Sequence, residues 1–472
     1  MPADQNKTAF QWFAEGNRLR SEGDMGAAIE AYTHAIEKDP RMAVAYTNRG
    51  LTRSNKSDFD GGIADSTKSI ELNPKDPFPF INRANARILK KGDPDASIAD
   101  ARHALELRPG IPAALLNLGM ACNQKGDNDG AIAAFDEALI LLPTFTLAYH
   151  QRGQVQMEKK KWDKAEADFT RALELNFVRP DVYRKRGICR LMQGNRESAA
   201  EDFTAALSFD PRDASLYHQR GFILFQSGDL KAARADLTKA VSLDPKHIGL
   251  HTLLVRILVC EGDGDAALAA AERLVTTQLK SSDALTCRAG VHAWRGEKTE
   301  ALADYAAALA LDPKNIAVYL LRGWFYLSAG REDEAAKDAD AGLKSAGRSD
   351  RQTPYLDILA NFARRRQHPD EARTAIAEAM SKEGAKSWPE PVLRYLHGDM
   401  SAEKLLNAAG DDNDRETEAH AYIGVVLWLS GATEKAREQL QWVRDHGNPS
   451  FVEYDLAVLF LHRWEKEPMR KP

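Results

Sequence analysis

The chain repeats itself at intervals of 34 residues, once 35, and this period constrains its fold more than any other feature. Trp12, Gly16, Leu19, Ala28, Tyr32, Ala35 and Pro40 set out the pattern. It returns as Gly119, Ala131, Phe135, Ala138 and Pro143, and again as Gly187, Ala199, Phe203, Ala206 and Pro211. Later copies carry Ala289, Ala301, Tyr305, Ala308 and Pro313, then Gly323 and Ala335. Within the first copy, Leu19, Ile29, Tyr32 and Ile36 fall at helical spacing, which predicts two amphipathic helices per repeat. Polar turns such as Ser21-Glu22-Gly23-Asp24 separate the two helices, and proline at position 32 ends the second. Small residues at positions 8 and 20 let the helices of a hairpin approach closely. One hairpin cannot bury its own apolar face, so neighbouring hairpins must stack.

A 34-residue period with small residues at these positions resembles the tetratricopeptide repeat (TPR). The resemblance implies an all-α chain: a right-handed superhelical solenoid of TPR helix hairpins, about ten units over residues 9–347. Residues 348–472 read as degenerate units and a C-terminal helical cap. Units near Thr353 (Ala360, Ala372, Ala379) and Thr417 (Gly424, Ala436) stay recognisable there. Around them stand Ser387-Trp388-Pro389-Glu390-Pro391, then Tyr395 to Ser401, then Glu416 to Gly424, then Ser450-Phe451-Val452-Glu453-Tyr454. Their order is similar to the C-terminal part of bacterial NlpI-like TPR proteins, which are non-enzymatic adaptors. A segment that shields the last apolar face accounts for the same residues, and both readings can hold.

Composition excludes several functions. Charged residues make up 28% of the chain and the net charge is −5, so nothing draws the whole molecule to nucleic acid or to an anionic membrane. The densest apolar run, Val425 to Leu429, is far short of the roughly 20 residues that span a bilayer. The first residues, Met1 to Lys7, lack an apolar signal core. The expected compartment is the cytoplasm, or the periplasm if a leader has been removed. Lys159 to Lys161 and Arg364 to Arg366 read as solvated turns. Cys122, Cys189, Cys260 and Cys287 form no C-x-x-C pair and read as small core residues. His247 and His251 are four apart but have no third ligand at metal spacing. Gly262-Asp263-Gly264-Asp265-Ala266-Ala267 fits a dinucleotide fingerprint, yet it falls where a helix–helix turn is due and its acidic residues would repel a pyrophosphate. No metal, cofactor or enzymatic activity is expected.

Comparing the copies with one another exposes a linked pair. Arg at position 7 (Arg49, Arg83, Arg152, Arg186, Arg220, Arg288, Arg322) always accompanies Asp at position 23 (Asp65, Asp100, Asp168, Asp202, Asp236, Asp304, Asp338). Where Glu15, Leu118 and Leu254 replace the arginine, Ala31, Ala134 and Ala270 replace the aspartate. The pairing follows the hairpin and not its predecessor, which predicts an ion pair between its two helices.

The TPR resemblance places function on a concave face lined by first helices. Position 6 reads Asn48, Asn82, Asn117, Gln151, Lys185 and Gln219 in successive copies. That file resembles the asparagine ladder inside the TPR superhelix of O-GlcNAc transferase. An amide offers one acceptor and two donors, which match a peptide bond and can hold an extended segment by its backbone. Around the early members the neighbours are Phe78, Ile81, Leu116 and Met120; around the later ones they are His150, Arg184, His218 and Phe222. The expected ligand is therefore an extended protein segment with an apolar half and an acidic half. The candidate peptide-binding residues are Asn48, Asn82, Asn117, Gln151, Arg184, Lys185, His218 and Gln219. A clamp for a C-terminal carboxylate needs cations where Phe13, Phe78 and Asn82 stand. The expected role is a non-enzymatic scaffold or adaptor. The alternative is a homo-oligomer assembled through the repeats.

Overall fold

The structure, a computed structural model, describes residues 7–345, 352–382, 388–449 and 451–466, and every regular element among them is an α-helix. The boundary expected at 347/348, the start of the chain up to Asn6, and Ser387 and Ser450 lie outside the described residues. The chain divides into two compact units, Met1–Pro211 and Arg212–Pro472.

The first unit contains six hairpins. They are α1 (Ala9–Ser21) with α2 (Met25–Lys38), α3 (Ala43–Asn55) with α4 (Phe59–Leu72), and α5 (Phe78–Leu89) with α6 (Pro94–Leu107). Then come α7 (Pro112–Lys125) with α8 (Asn128–Leu141), α9 (Thr146–Glu158) with α10 (Trp162–Glu174), and α11 (Pro180–Met192) with α12 (Arg196–Phe209). Each second helix packs on the first helix of the next hairpin, and successive first helices touch one another. The second unit begins with α13 (Ala214–Gln226) and α14 (Leu230–Leu243), α15 (Ile248–Cys260) and α16 (Gly264–Thr277), α17 (Ser282–Arg295) and α18 (Lys298–Leu311), and α19 (Ile316–Ser328) and α20 (Glu332–Ser345). It continues with α21 (Thr353–Arg364), α22 (Pro369–Lys382), α23 (Glu390–His397), α24 (Ala402–Ala409), α25 (Asn413–Leu429), α26 (Thr433–His446) and α27 (Val452–Lys466).

Local chemistry explains the turns. Gly23 and Gly126 sit at φ +87°, where a side chain would be strained. The next residue, Asp24 or Asp127, accepts a hydrogen bond from the backbone N–H of Ala27 or Gly130 and so caps the second helix. The dinucleotide-like run is the same device: Gly262 turns at φ +79° and Asp263 caps α16. Position 8 is small because a ring lies over it. A Cβ at Gly16 would stand 2.6 Å from the Tyr32 ring, one at Gly119 2.4 Å from Phe135 and one at Gly187 2.8 Å from Phe203. In these three copies the close neighbour is the aromatic at position 24, whereas at Gly50 it is the carbonyl oxygen of Gly62 at position 20, at 3.0 Å.

All seven Arg–Asp pairs form, each within its hairpin. Nη2 meets Oδ1 at 2.6–2.7 Å and Nε meets the carboxylate at 2.7–3.0 Å. The Arg–Asp coupling stays within one hairpin, as comparison of the copies implies, and the guanidinium adds a contact outside it. In the first unit the remaining guanidinium nitrogen reaches back one repeat, from Arg49 to Thr33, Arg83 to Thr67, Arg152 to Asp136 and Arg186 to Thr170. A hydroxyl or a carboxylate serves equally there, so no fixed residue type marked the contact. The aromatic three residues earlier, such as Tyr46, Tyr149 or Tyr183, covers the same guanidinium at 5.5–5.7 Å.

The second unit ends differently. From α19 onward, buried residues including Leu356, Phe362, Val392, Tyr422, Leu440 and Phe460 merge into one continuous cluster. Helix α27 packs on α25 and α26 and also turns back to touch α17 and α19. A cap over the last hairpin alone would not do so. Among the described residues no helix is long and apolar enough to cross a membrane.

Candidate peptide-binding face

The first helices of the first unit place Asn48, Asn82, Asn117, Gln151 and Lys185 one repeat apart. The amides of the three asparagines are already engaged. Asn48 Nδ2 donates to Asn17 Oδ1 at 2.8 Å, and the Tyr32 hydroxyl donates to that same oxygen at 2.8 Å. Asn82 Nδ2 donates to the Thr47 carbonyl at 3.3 Å and Asn117 Nδ2 to the Ile81 carbonyl at 2.9 Å. The three asparagines therefore tie α3 to α1, α5 to α3 and α7 to α5. Asn48, Asn82 and Gln151 are half-buried, whereas Asn117 is 4% exposed and lies between α5 and α7. Ile81 and Leu116 are likewise buried, so part of the apolar lining expected on the open face is packing between helices. Phe78 remains open, with the Arg108 guanidinium 5.3 Å from its ring.

The basic end is also partly answered from within. Lys185 Nζ lies 3.1 Å from both His150 Nε2 and Gln154 Oε1, and 3.6 Å from Asp181. His150 Nε2 is in turn 3.0 Å from Asp181 Oδ2, a carboxylate from the next first helix. Burial lowers the Lys185 ammonium from its ordinary range, and burial followed by the Lys185 charge lowers the His150 imidazole. Arg184 is half-buried beside this cluster. His218 and Gln219 belong to α13 of the second unit, where the His218 ring lies 6.2 Å from that of His247. Burial, then proximity to His247, lowers the His218 pKa. The Gln219 side-chain oxygen is buried without a hydrogen-bond partner among the described residues.

The remaining candidates have structural tasks. His247 accepts from the Leu250 N–H at the start of α15, and His251 Nε2 meets the Pro245 carbonyl at 3.0 Å. Cys122 and Cys189 are buried; burial pushes the thiols of Cys189, Cys260 and Cys287 up to about 12. Of the basic runs, Lys159 meets Asp129, Arg364 meets Asp340, and Arg366 meets Glu332. Arg365 is more than a solvated turn: it donates to the Leu396 carbonyl at 3.0 Å.

The segments singled out in the C-terminal quarter converge on two buried carboxylates. Glu418 accepts from Trp388 Nε1 at 2.9 Å and from the Tyr355 hydroxyl at 3.2 Å, and Glu453 accepts from the Tyr422 hydroxyl at 2.5 Å. Burial, with the Glu453 charge adding to it, pushes the Glu418 carboxyl up to about 8. Spacing could not link these residues, because 30 and 31 positions separate the partners.

Stacked helical hairpins that share an internal ion pair and leave a polar first-helix face define a repeat protein of the interaction class. Three family profiles, each described as tetratricopeptide repeat, match residues 89–144, 190–248 and 291–350, residues 224–289, and residues 146–177. The chain belongs to the tetratricopeptide repeat proteins. It is 40% identical over 75 residues to "Small glutamine-rich tetratricopeptide repeat-containing protein 2" of Mycosarcoma maydis, a match covering 16% of this chain and 21% of that one. It is 33% identical over 61 residues to "Hsp70-Hsp90 organizing protein 2" of Arabidopsis thaliana, covering 13% and 11%. The chain thus spans about a fifth and about a tenth of the lengths of these relatives. Among solved structures, yeast Tom70 aligns over 85% of this chain and 97% of that one, at 17% identity and a TM-score of 0.42.

Proposed function

We propose that this protein is a non-enzymatic scaffold or adaptor that holds an extended protein segment along the first-helix face of residues 9–211. The observation that carries this reading is the file of amides Asn48, Asn82, Asn117 and Gln151 on successive first helices, which Lys185 continues. Asn82 is fixed by a bond to the preceding first helix yet keeps a second N–H and its carbonyl oxygen on a half-buried side chain, while Asn48, held by Asn17 and by the Tyr32 hydroxyl, keeps its carbonyl oxygen. Fixed amides lose little freedom when a backbone docks on them. At about 1 kcal/mol per bond, such a file supports micromolar binding, and side-chain anchors add to it. Gln151 and Arg184 extend the face, and Phe78 gives it an apolar end. Asn117 holds the register from inside, and Lys185 acts together with Asp181. His218 and Gln219 belong to the second unit and would serve a segment docked on α13 there.

The names of the relatives raise a co-chaperone role, but Asn17 and Asn48 bond each other and the positions for clamp cations hold Phe13, Phe78 and Asn82. An internal segment with an acidic stretch fits better than a free C-terminus. The order of residues from Trp388 to Tyr454 supports an adaptor role of the NlpI-like kind in a bacterium, and the expected compartment is the cytoplasm. Affinity capture with Asn48→Ala/Asn82→Ala and with Arg184→Glu tests this reading. A partner captured by the wild type and lost by both variants, at unchanged melting temperature, supports it; partners retained by both sink it.

Self-assembly is a second reading, favoured by one observation. The end of α8 leaves Ile140, Leu141 and Leu142 exposed by 79%, 45% and 39%, as a continuous apolar run. A mass by light scattering that rises with concentration, and stops rising in Ile140→Asp, would favour it.

A further inference from the structure

Between α15, α17, α19 and the returning α27 lies a cavity of about 370 Å³. Its walls are mainly apolar, with Val255 and Val259 from α15, Leu321 and Trp324 from α19, and Leu456 and Leu459 from α27. The size falls within the roughly 300–1,000 Å³ of small-molecule sites. An apolar cavity of about 150 Å³ stays dry and accepts a benzene-sized molecule, so this one has room for about two such rings. Apolar walls alone would describe an imperfect fit between α27 and the array. Two further features point to a ligand.

The first is Gly290, in the middle of α17 and in the cavity wall. Other helical glycines among the described residues have a neighbour that a Cβ would meet. At Gly290 alone among them, a Cβ would find nothing within 4 Å. Glycine is unfavourable in a helix interior, and here neither packing nor a turn requires it. What it does is keep the cavity open. The second feature is Trp294, one turn further along the same wall. Its indole Nε1 is buried and has no hydrogen-bond partner among the described residues, while its ring stacks on His462 of α27 at 4.5 Å. A buried donor of this kind is costly unless something accepts from it.

The charged groups set the ligand's sign. Asp455 of α27 holds the Arg256 guanidinium at 2.6 Å, and Asp283 adds a second carboxylate to the lining. With the guanidinium already paired, an anion meets repulsion. We propose that this cavity binds a small uncharged molecule with an apolar body of about two fused rings and one hydrogen-bond acceptor, a ketone or an ester, placed on Trp294 Nε1. Because α27 supplies one wall, occupancy also fastens α27 to α17 and α19.

Titration calorimetry of the full chain with 2-acetylnaphthalene and with 2-ethylnaphthalene tests this. The wild type should bind the ketone saturably and about tenfold more tightly than the hydrocarbon, the worth of one hydrogen bond. Trp294→Phe should remove that difference. Gly290→Leu, which fills the space, should weaken both probes at least tenfold while melting no lower than the wild type. Leu321→Phe fills the same space from α19 and serves if Gly290→Leu fails to fold. No saturable binding by the wild type, equal affinity for the two probes, or unchanged binding in a folded cavity-filled variant would overturn the proposal.

Discussion

The two units are held together by different means. In Met1–Pro211, stabilisation is divided among hairpins: an Arg–Asp pair in most of them, a ring over a position-8 glycine in several, and amide ties between neighbouring first helices. In the C-terminal half of Arg212–Pro472, side chains from α19 to α27 merge into one apolar cluster with Glu418 and Glu453 buried at its edge. The first arrangement is that of a repeat array, where each unit answers to its neighbours. The second is that of a small globular domain, where one lesion reaches every element. The same chain therefore combines local and shared stability, and the difference can be attacked directly.

The largest effect is expected at Asp202, which is 2% exposed and holds both Arg186 and Arg190. Asp202→Ala should cost about 3–5 kcal/mol by leaving the Arg186 guanidinium without its carboxylate, while Arg190 keeps Glu166. Hydrogen exchange should quicken in α11, α12 and the adjoining hairpin, and stay unchanged across α21 to α27. A cycle with Arg186→Ala should show coupling of at least about 1 kcal/mol. Strict additivity would dissolve the ion-pair account of the repeat.

A smaller, pH-dependent effect belongs to the second unit. The Glu418 carboxyl is raised by burial and by Glu453, so the folded state prefers it protonated. Its contribution to stability is full below the ordinary glutamate range, near pH 4.5, and is lost as pH rises through about 8. The loss should amount to about 3 kcal/mol between pH 5 and 8. Exchange in α25 and α27 at several pH values would follow it. Glu418→Gln can still accept from Trp388 and donate to the Tyr355 hydroxyl, so it should flatten the dependence. A variant that keeps the full slope would assign the titration to another group.

The smallest effect tests the candidate face itself. Asn82→Ala removes one partly exposed bond to the Thr47 carbonyl and should cost about 1 kcal/mol or less. If it destabilises by several kcal/mol, the amide file is chiefly a structural device, and the contrast between the units narrows.

Sequence reasoning read the repeat because its signals are local and recur. Helix periodicity, capping aspartates, turn glycines and the position-32 proline act within a few residues, and each copy tests the others. The Arg–Asp pair is a medium-range contact, yet substitution in three copies made it visible without coordinates. The face was legible as a file of positions but not as a set of free groups. Whether Asn117 faces outward depends on how α5 settles against α7, and whether Lys185 is a free cation depends on Asp181 from its own first turn and His150 from the previous repeat. Gly290 carried a signal that could have been used, a second small residue directly after the expected Ala289.

The amino-acid sequence by itself thus determined the helices, their pairing into hairpins and the ion pair within seven of those hairpins, because those contacts lie within about one period. Tertiary structure alone decided where α27 goes. Arg256 and Asp455 are 199 residues apart, and neither periodicity nor composition ties one to the other. Closing so long a loop carries an entropic cost that only the summed burial of a whole helix face can offset. The cavity beneath α27 follows from that docking, as a space bounded by elements that no local rule brings together.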